Sequence, residues 1–107
     1  MDHERARKRL AEERERIERE LAGLGMREAA DSPENSGDQA ADLEQAERDE
    51  GLRQDLRSTL EAIERAEARL AEGTYGISVI SGEPIPDGRL EAIPWADRTV
   101  GEEPGRG

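Results

Sequence analysis

Gly73-Thr74-Tyr75-Gly76-Ile77-Ser78-Val79-Ile80-Ser81-Gly82-Glu83-Pro84-Ile85-Pro86 is the stretch whose reading decides the fold. Gly73 closes a long helix-forming segment and fits the C′ position, where a left-handed residue ends the last turn. Beyond it, two short extended pieces flank a turn at Gly82-Glu83-Pro84, and a helical turn is expected over Asp87–Ala92. Ile77, Val79, Ile80, Ile85, Leu90, Ile93 and Trp95 supply the apolar mass of a small core. The module so defined runs over residues 73–102. The tail, 103–107, is Gly- and Pro-bearing and is expected to be disordered.

Upstream of Gly73 the spacing turns helical. Residues from about Gln39 to Glu72 carry Leu43, Ala46, Leu52, Leu56, Leu60, Ile63 and Leu70 as an apolar stripe. Residues from about Asp2 to Ala30 place Leu10, Ile17 and Leu24 seven apart, with Leu21 between them, in a seam narrow enough for one partner helix. Between the two, Asp31-Ser32-Pro33-Glu34-Asn35-Ser36-Gly37-Asp38 gathers turn formers, with Asp38 placed to cap the second helix. Two helices of about 40 Å each, at 1.5 Å per residue, then fold back as an antiparallel hairpin. With its turn at Asn35, Leu10 would meet Leu60 and Leu24 would meet Ala46. The expected fold is mostly α: an antiparallel two-helix coiled-coil hairpin over 1–72, its tip at about 31–40. A small metal-free module with a short β-hairpin and a helical turn comes after it. Gly51, in the middle of the second helix, costs about 1 kcal/mol relative to alanine.

Composition narrows the function. The chain has 107 residues, 40% of them charged and 33% hydrophobic, with Tyr75 and Trp95 its only aromatics, so helix pairing rather than a thick core must stabilise it. A net charge of −11 opposes direct DNA binding and suits docking on a basic protein surface. No stretch has the ~18 consecutive apolar residues of a membrane span, and the N-terminus lacks the apolar core of a secretory signal; a cytoplasmic protein is expected. With no cysteine, and with His3 as the one histidine on a terminus expected to be solvated, neither a nucleophilic triad nor a thiolate site can be assembled. Gly73-Thr74-Tyr75-Gly76 lacks the lysine of a phosphate-binding loop. The chain does not read as an enzyme, and no cofactor is expected.

The order and spacing of the C-terminal residues resemble the signature of the DksA/TraR family of bacterial transcription regulators. That signature is roughly Gly-Thr-Tyr-Gly-x-Cys-x-x-Cys-Gly-x-Pro-Ile, then Arg-Leu-x-Ala-x-Pro and a second Cys-x-x-Cys. The later part is matched by Arg89-Leu90-Glu91-Ala92-Ile93-Pro94. The four zinc-ligand positions of that family fall here on Ser78, Ser81, Thr99 and Glu102. Protonated hydroxyls and one carboxylate are a poor set for a structural zinc, so these positions are not expected to bind metal. Ile77, Val79 and Ile80 are expected to crowd the former ligand loop in its place.

The resemblance further implies a hairpin that enters the secondary channel of RNA polymerase and brings an acidic tip, Asp-x-x-Asp-x-Ala, to the catalytic centre. The matching positions are Asn35, Asp38 and Ala40; Asn35 keeps hydrogen-bonding ability but not the charge. In the family the response to ppGpp depends on basic residues on the hairpin and finger. The matching region near Asp55 and Ala62 lacks them, and Arg53, Arg57 and Arg65 are expected to pair with nearby glutamates. A hairpin that satisfies its own seam predicts a monomer. The alternative is a structural or adaptor coiled coil that self-associates or binds another helical protein.

Overall fold

The computed structural model describes the backbone of residues 1–30 and 39–103, and the side chains of 1–26 and 43–103. Asn35 and Asp38 of the expected tip lie outside the described residues, as does the tail from 104 onward. Helix α1 covers His3–Ala30 and helix α2 covers Gln39–Glu72. The Asp2 carboxylate accepts the Glu4 amide at 3.1 Å, satisfying one of the free amides that open α1. At the other end of the hairpin Gly73 takes φ 83°, and the Thr74 amide reaches back to the Arg69 carbonyl at 2.9 Å. With Gly73 bonding Leu70 at 3.4 Å, this is a Schellman closure.

The two helices pack along a seam of period seven. Leu10, Ile17 and Leu24 of α1 and Leu56, Ile63 and Leu70 of α2 are buried in one cluster, with Leu21 and Leu60 half-buried beside it. Each such side chain contributes roughly 1.5–3 kcal/mol of transfer free energy. That accounts for how so charged a chain holds a fold.

The register differs from the one expected from the sequence. Arg14 bonds the Glu67 carboxylate and lies 3.7 Å from Glu64, which sets Leu10, Ile17 and Leu24 against the stretch of Leu70, Ile63 and Leu56. Leu24 therefore does not meet Ala46. By that register roughly the first ten residues of α2, ~15 Å of helix, extend past the end of α1. Leu43 and Ala46 are accordingly exposed, although they continue the apolar stripe on paper.

After Gly73 the chain forms a compact module that shares the hairpin's core. Tyr75, Ile85, Leu90 and Ala96 are buried in the same cluster as Ala6 and Leu10. The Tyr75 hydroxyl donates to the Pro94 carbonyl at 2.8 Å, and Trp95 is half-buried against the cluster. Helix α3, Asp87–Ala92, docks on α1 through Glu91. The Glu91 carboxylate accepts from Arg5 Nε at 2.8 Å and Arg5 Nη2 at 2.9 Å, and the Glu91 carbonyl accepts from Arg9 at 3.0 Å. His3 is exposed, as expected. It stands in the first turn of α1, with its ring edge-on to Tyr75 at a 6.3 Å centroid separation.

The expected short β-hairpin is reduced to one antiparallel bridge, Ile77 to Pro84, and no strand forms among the described residues. The cause is local. Gly76 and Gly82 take left-handed φ values of 82° and 78°, so the chain turns sharply on both sides of the bridge. Pro84 and Pro86 have no amide to extend a ladder. The bonds that do form are Ser78 to the Glu83 carbonyl and Ile85 to the Gly76 carbonyl, each 2.8 Å.

Candidate functional site

The four positions that the sequence singles out in the C-terminal module come together in space. Ser78 is held at the base of its loop and is only 3% exposed. A short 3-10 turn, α4, covers Val100–Glu102 and brings Glu102 up against it. Oε1 of Glu102 accepts from the Ser78 hydroxyl at 2.7 Å, and from the amide and hydroxyl of Thr99 at 2.9 Å each. The Glu102 amide in turn donates to the Thr99 carbonyl at 3.1 Å. Ser78 Oγ also accepts from the amides of Ile80 at 3.1 Å and Ser81 at 3.3 Å. The result is a hydrogen-bonded knot with one carboxylate at its centre.

So many donors stabilise the charged form of that carboxylate. The Ser81 hydroxyl, then the Thr99 amide and the Ser78 hydroxyl, hold Glu102 down at about 2, against 4.5 for an ordinary glutamate. Thr99 and Glu102 also form a reciprocal capping box on the 3-10 turn. Thr99-Val100-Gly101-Glu102 has the residue types and spacing of that motif, so the sequence itself carries a signal for this half of the knot.

This donor set does not fit a structural zinc. Ser78 and Thr99 use their hydroxyl protons on Glu102, and Ser78 spends its acceptor capacity on backbone amides. What remains is one oxygen donor, where a tetrahedral site needs four thiolate or imidazole ligands. The position is chemically complete without a metal.

The expectation that Ile77, Val79 and Ile80 fill the former ligand loop is overturned. They are 42%, 55% and 59% exposed. Ser78 turns inward to the knot, which directs its neighbours outward, and the Val79 amide is tied to the Asp97 carbonyl at 2.8 Å. Polar groups rather than branched apolar ones close the loop. Of the tip residues, Ala40 stands in the first turn of α2, where the described side chains do not reach.

Between α2 and the C-terminal module lies an open cleft of about 370 Å³. Ala62 and Arg65 of α2 line it together with Arg89, Trp95 and Arg98. Arg89 pairs with Glu103, and Arg98 with Asp97 at 2.9 Å. Arg89 Nε and Arg69 Nη2 are buried without a hydrogen-bond partner, and burial lowers the Arg69 pKa. On α2 itself Arg53 pairs with Glu50 at 2.6 Å. Beside Ala62 the cleft thus gathers Arg65 of α2 with Arg89 and Arg98 of the C-terminal module, a juxtaposition invisible in the α2 sequence alone.

A coiled-coil hairpin whose second helix ends in Gly73 and runs into a small module closed at four finger positions defines a class. The chain is DksA/TraR-like in fold, and it lacks the zinc-binding cysteines of that family. It superposes on the solved structure of transcription factor DksA2 from Pseudomonas aeruginosa with a TM-score of 0.81 and 28% identity, over 92% of this chain and 77% of that one. It is 45% identical over 60 residues to the uncharacterized protein YteA of Bacillus subtilis, and 40% identical over 52 residues to general stress protein 16O of the same organism. Those matches take in 56% and 49% of this chain but 25% and 32% of the relatives, so it spans about a third or less of their length. No family profile matches the chain. Among the described residues no helix is long and apolar enough to cross a membrane.

Proposed function

We propose that this chain is a transcription regulator that binds RNA polymerase through its secondary channel and modulates initiation without a structural zinc. The observation that carries the reading is the convergence of Ser78, Ser81, Thr99 and Glu102 at the end of the hairpin. The module is closed by hydrogen bonds at the positions where a zinc-bearing relative would hold its metal, which supports a module that still orients the hairpin. The likeness to a solved transcription factor over 92% of the chain supports a role of the same kind. The hairpin acts as the probe, the tip at Asp38 and Ala40 as its working end, and the C-terminal module as the anchor. A net charge of −11 favours a basic rim on a protein partner over a duplex.

The test is capture of purified core RNA polymerase by the protein, run beside an Asp38→Ala variant in a transcription assay. Binding by both proteins, with transcription altered by the unsubstituted chain alone, is the expected result. Failure of the unsubstituted chain to bind core polymerase defeats the proposal.

A further inference from the structure

The knot has a second product besides closing the module. It holds three adjacent loop side chains, Ile77, Val79 and Ile80, out of the core, and Val100 beside the knot is also 41% exposed. Large apolar side chains in so short a loop are costly to leave in water unless something covers them. The loop is firmly tied for an exposed one. Ser78 Oγ takes two of its amides, Ser78 and Val79 donate to the carbonyls of Glu83 and Asp97, and Gly82 donates to Ser78. A loop held this way presents its side chains in one arrangement, which reduces the ordering cost of binding.

The charges around it select the partner. From residue 70 to residue 88 the chain carries Glu72, Glu83 and Asp87 and no lysine or arginine, and of the three acids Asp87 is engaged by the Met1 ammonium. Across the knot stands Glu102, ionised down to about 2, while the nearby Arg98 is engaged by Asp97 at 2.9 Å. An apolar tip with an acidic border fits an apolar groove bordered by lysine and arginine. A second copy of a chain with net charge −11 would bring acid against acid.

We infer that the Ile77–Ile80 loop is a protein-docking tip, seated in a basic-rimmed apolar groove on RNA polymerase, and that it fixes the module while the hairpin inserts. This inference rests on the polymerase reading above and adds to it a contact surface outside the hairpin. The test compares binding of purified core RNA polymerase by the unsubstituted chain, by Val79→Asp/Ile80→Asp and by the milder Val79→Ala/Ile80→Ala. Both positions are exposed, so Trp95 emission and helical circular dichroism should match in all three proteins.

The expected result is binding by the unsubstituted chain, weakened about tenfold or more by the aspartates and less by the alanines, as for loss of an interface anchor. Equal binding by all three overturns the docking tip and leaves the polymerase reading standing. No binding by any of them overturns both. A change in the mass of the free protein in solution, produced by the aspartate pair, would assign the tip to a second copy and overturn the choice of partner.

Discussion

Removing the buried Ser78 hydroxyl should loosen the C-terminal module. In Ser78→Ala the side chain stays small and buried, and what disappears is one oxygen with three hydrogen bonds, at 2.7, 3.1 and 3.3 Å. A net ~0.5–1.5 kcal/mol for each such bond gives roughly 2–3 kcal/mol in total, the two longer bonds counting toward the low end. For a domain of ~100 residues that corresponds to a fall in Tm of roughly 10–20 °C. Thermal unfolding followed by emission of Trp95, the only tryptophan, reads the module itself, and far-ultraviolet circular dichroism reads the hairpin beside it. The matched control is Ser58→Ala, where an exposed hydroxyl on α2, away from the knot, is lost and water can replace it, so a shift of only a few degrees is expected. If Ser78→Ala melts within ~2 °C of the unsubstituted chain, or no lower than Ser58→Ala, the knot does not hold the module together and the reasoning fails.

The same geometry sets three further outcomes. Glu102 has a depressed folded-state pKa, so its contribution to stability is fully present above the ordinary glutamate value of 4.5 and is lost as pH falls through about 2. Glu91, held down by Arg5, and Asp97, held down by Arg98, act in the same direction; Tm should be level from pH 7 to about 5 and fall only below it, and loss of the Trp95 signal above pH 5 would contradict this. Because the four finger positions converge, the combined Ser78→Cys/Ser81→Cys/Thr99→Cys/Glu102→Cys variant should bind one cobalt or zinc ion tetrahedrally, read by thiolate-to-cobalt charge transfer, whereas the unsubstituted chain should give no such band. Gly51→Ala should raise stability by up to ~1 kcal/mol in denaturant unfolding, since a Cβ there meets nothing within 4 Å; a loss would mean that the α2 backbone depends on that glycine.

The two long helices are legible in the sequence because period-seven spacing is a property of the chain alone, and both Leu10-Ile17-Leu24 and Leu56-Ile63-Leu70 lie in the buried seam. Their register is not. It depends on how the connection between them is built and on a cross-hairpin pair, Arg14 with Glu67, whose partners are 53 residues apart. A symmetrical turn at Asn35 is the simplest assumption, and it places Leu43 and Ala46 in a seam that α1 does not reach. In the module, Gly73 and the helical turn at Asp87–Ala92 are set by local chemistry. The fate of Ile77, Val79 and Ile80 is not. Hydrophobicity argues for burial, but Ser78 makes three hydrogen bonds inside, and in a short loop only one of two neighbouring side chains can point inward.

Loss of the zinc ligands has consequences that run further than the ligand loop. A metal-closed finger folds when its cation and reduced thiols are supplied; a module closed by Ser78, Thr99 and Glu102 draws on the chain alone and has no thiol to oxidise. The two kinds of closure also differ in how they fail. Metal ligation gives way to chelation or oxidation, whereas a carboxylate knot gives way to acid or to loss of a single buried donor. In this chain such a failure would not stay local, because Tyr75, Ile85 and Leu90 belong to the same cluster as Ala6 and Leu10 of the hairpin. Loosening the knot therefore removes packing from the base of α1 and frees the angle between module and hairpin, which Arg5, Arg9 and Glu91 otherwise set. On the proposed reading, a hairpin aimed by one end depends on rigidity at the other, and hydrogen bonds provide the closure that a metal would otherwise supply.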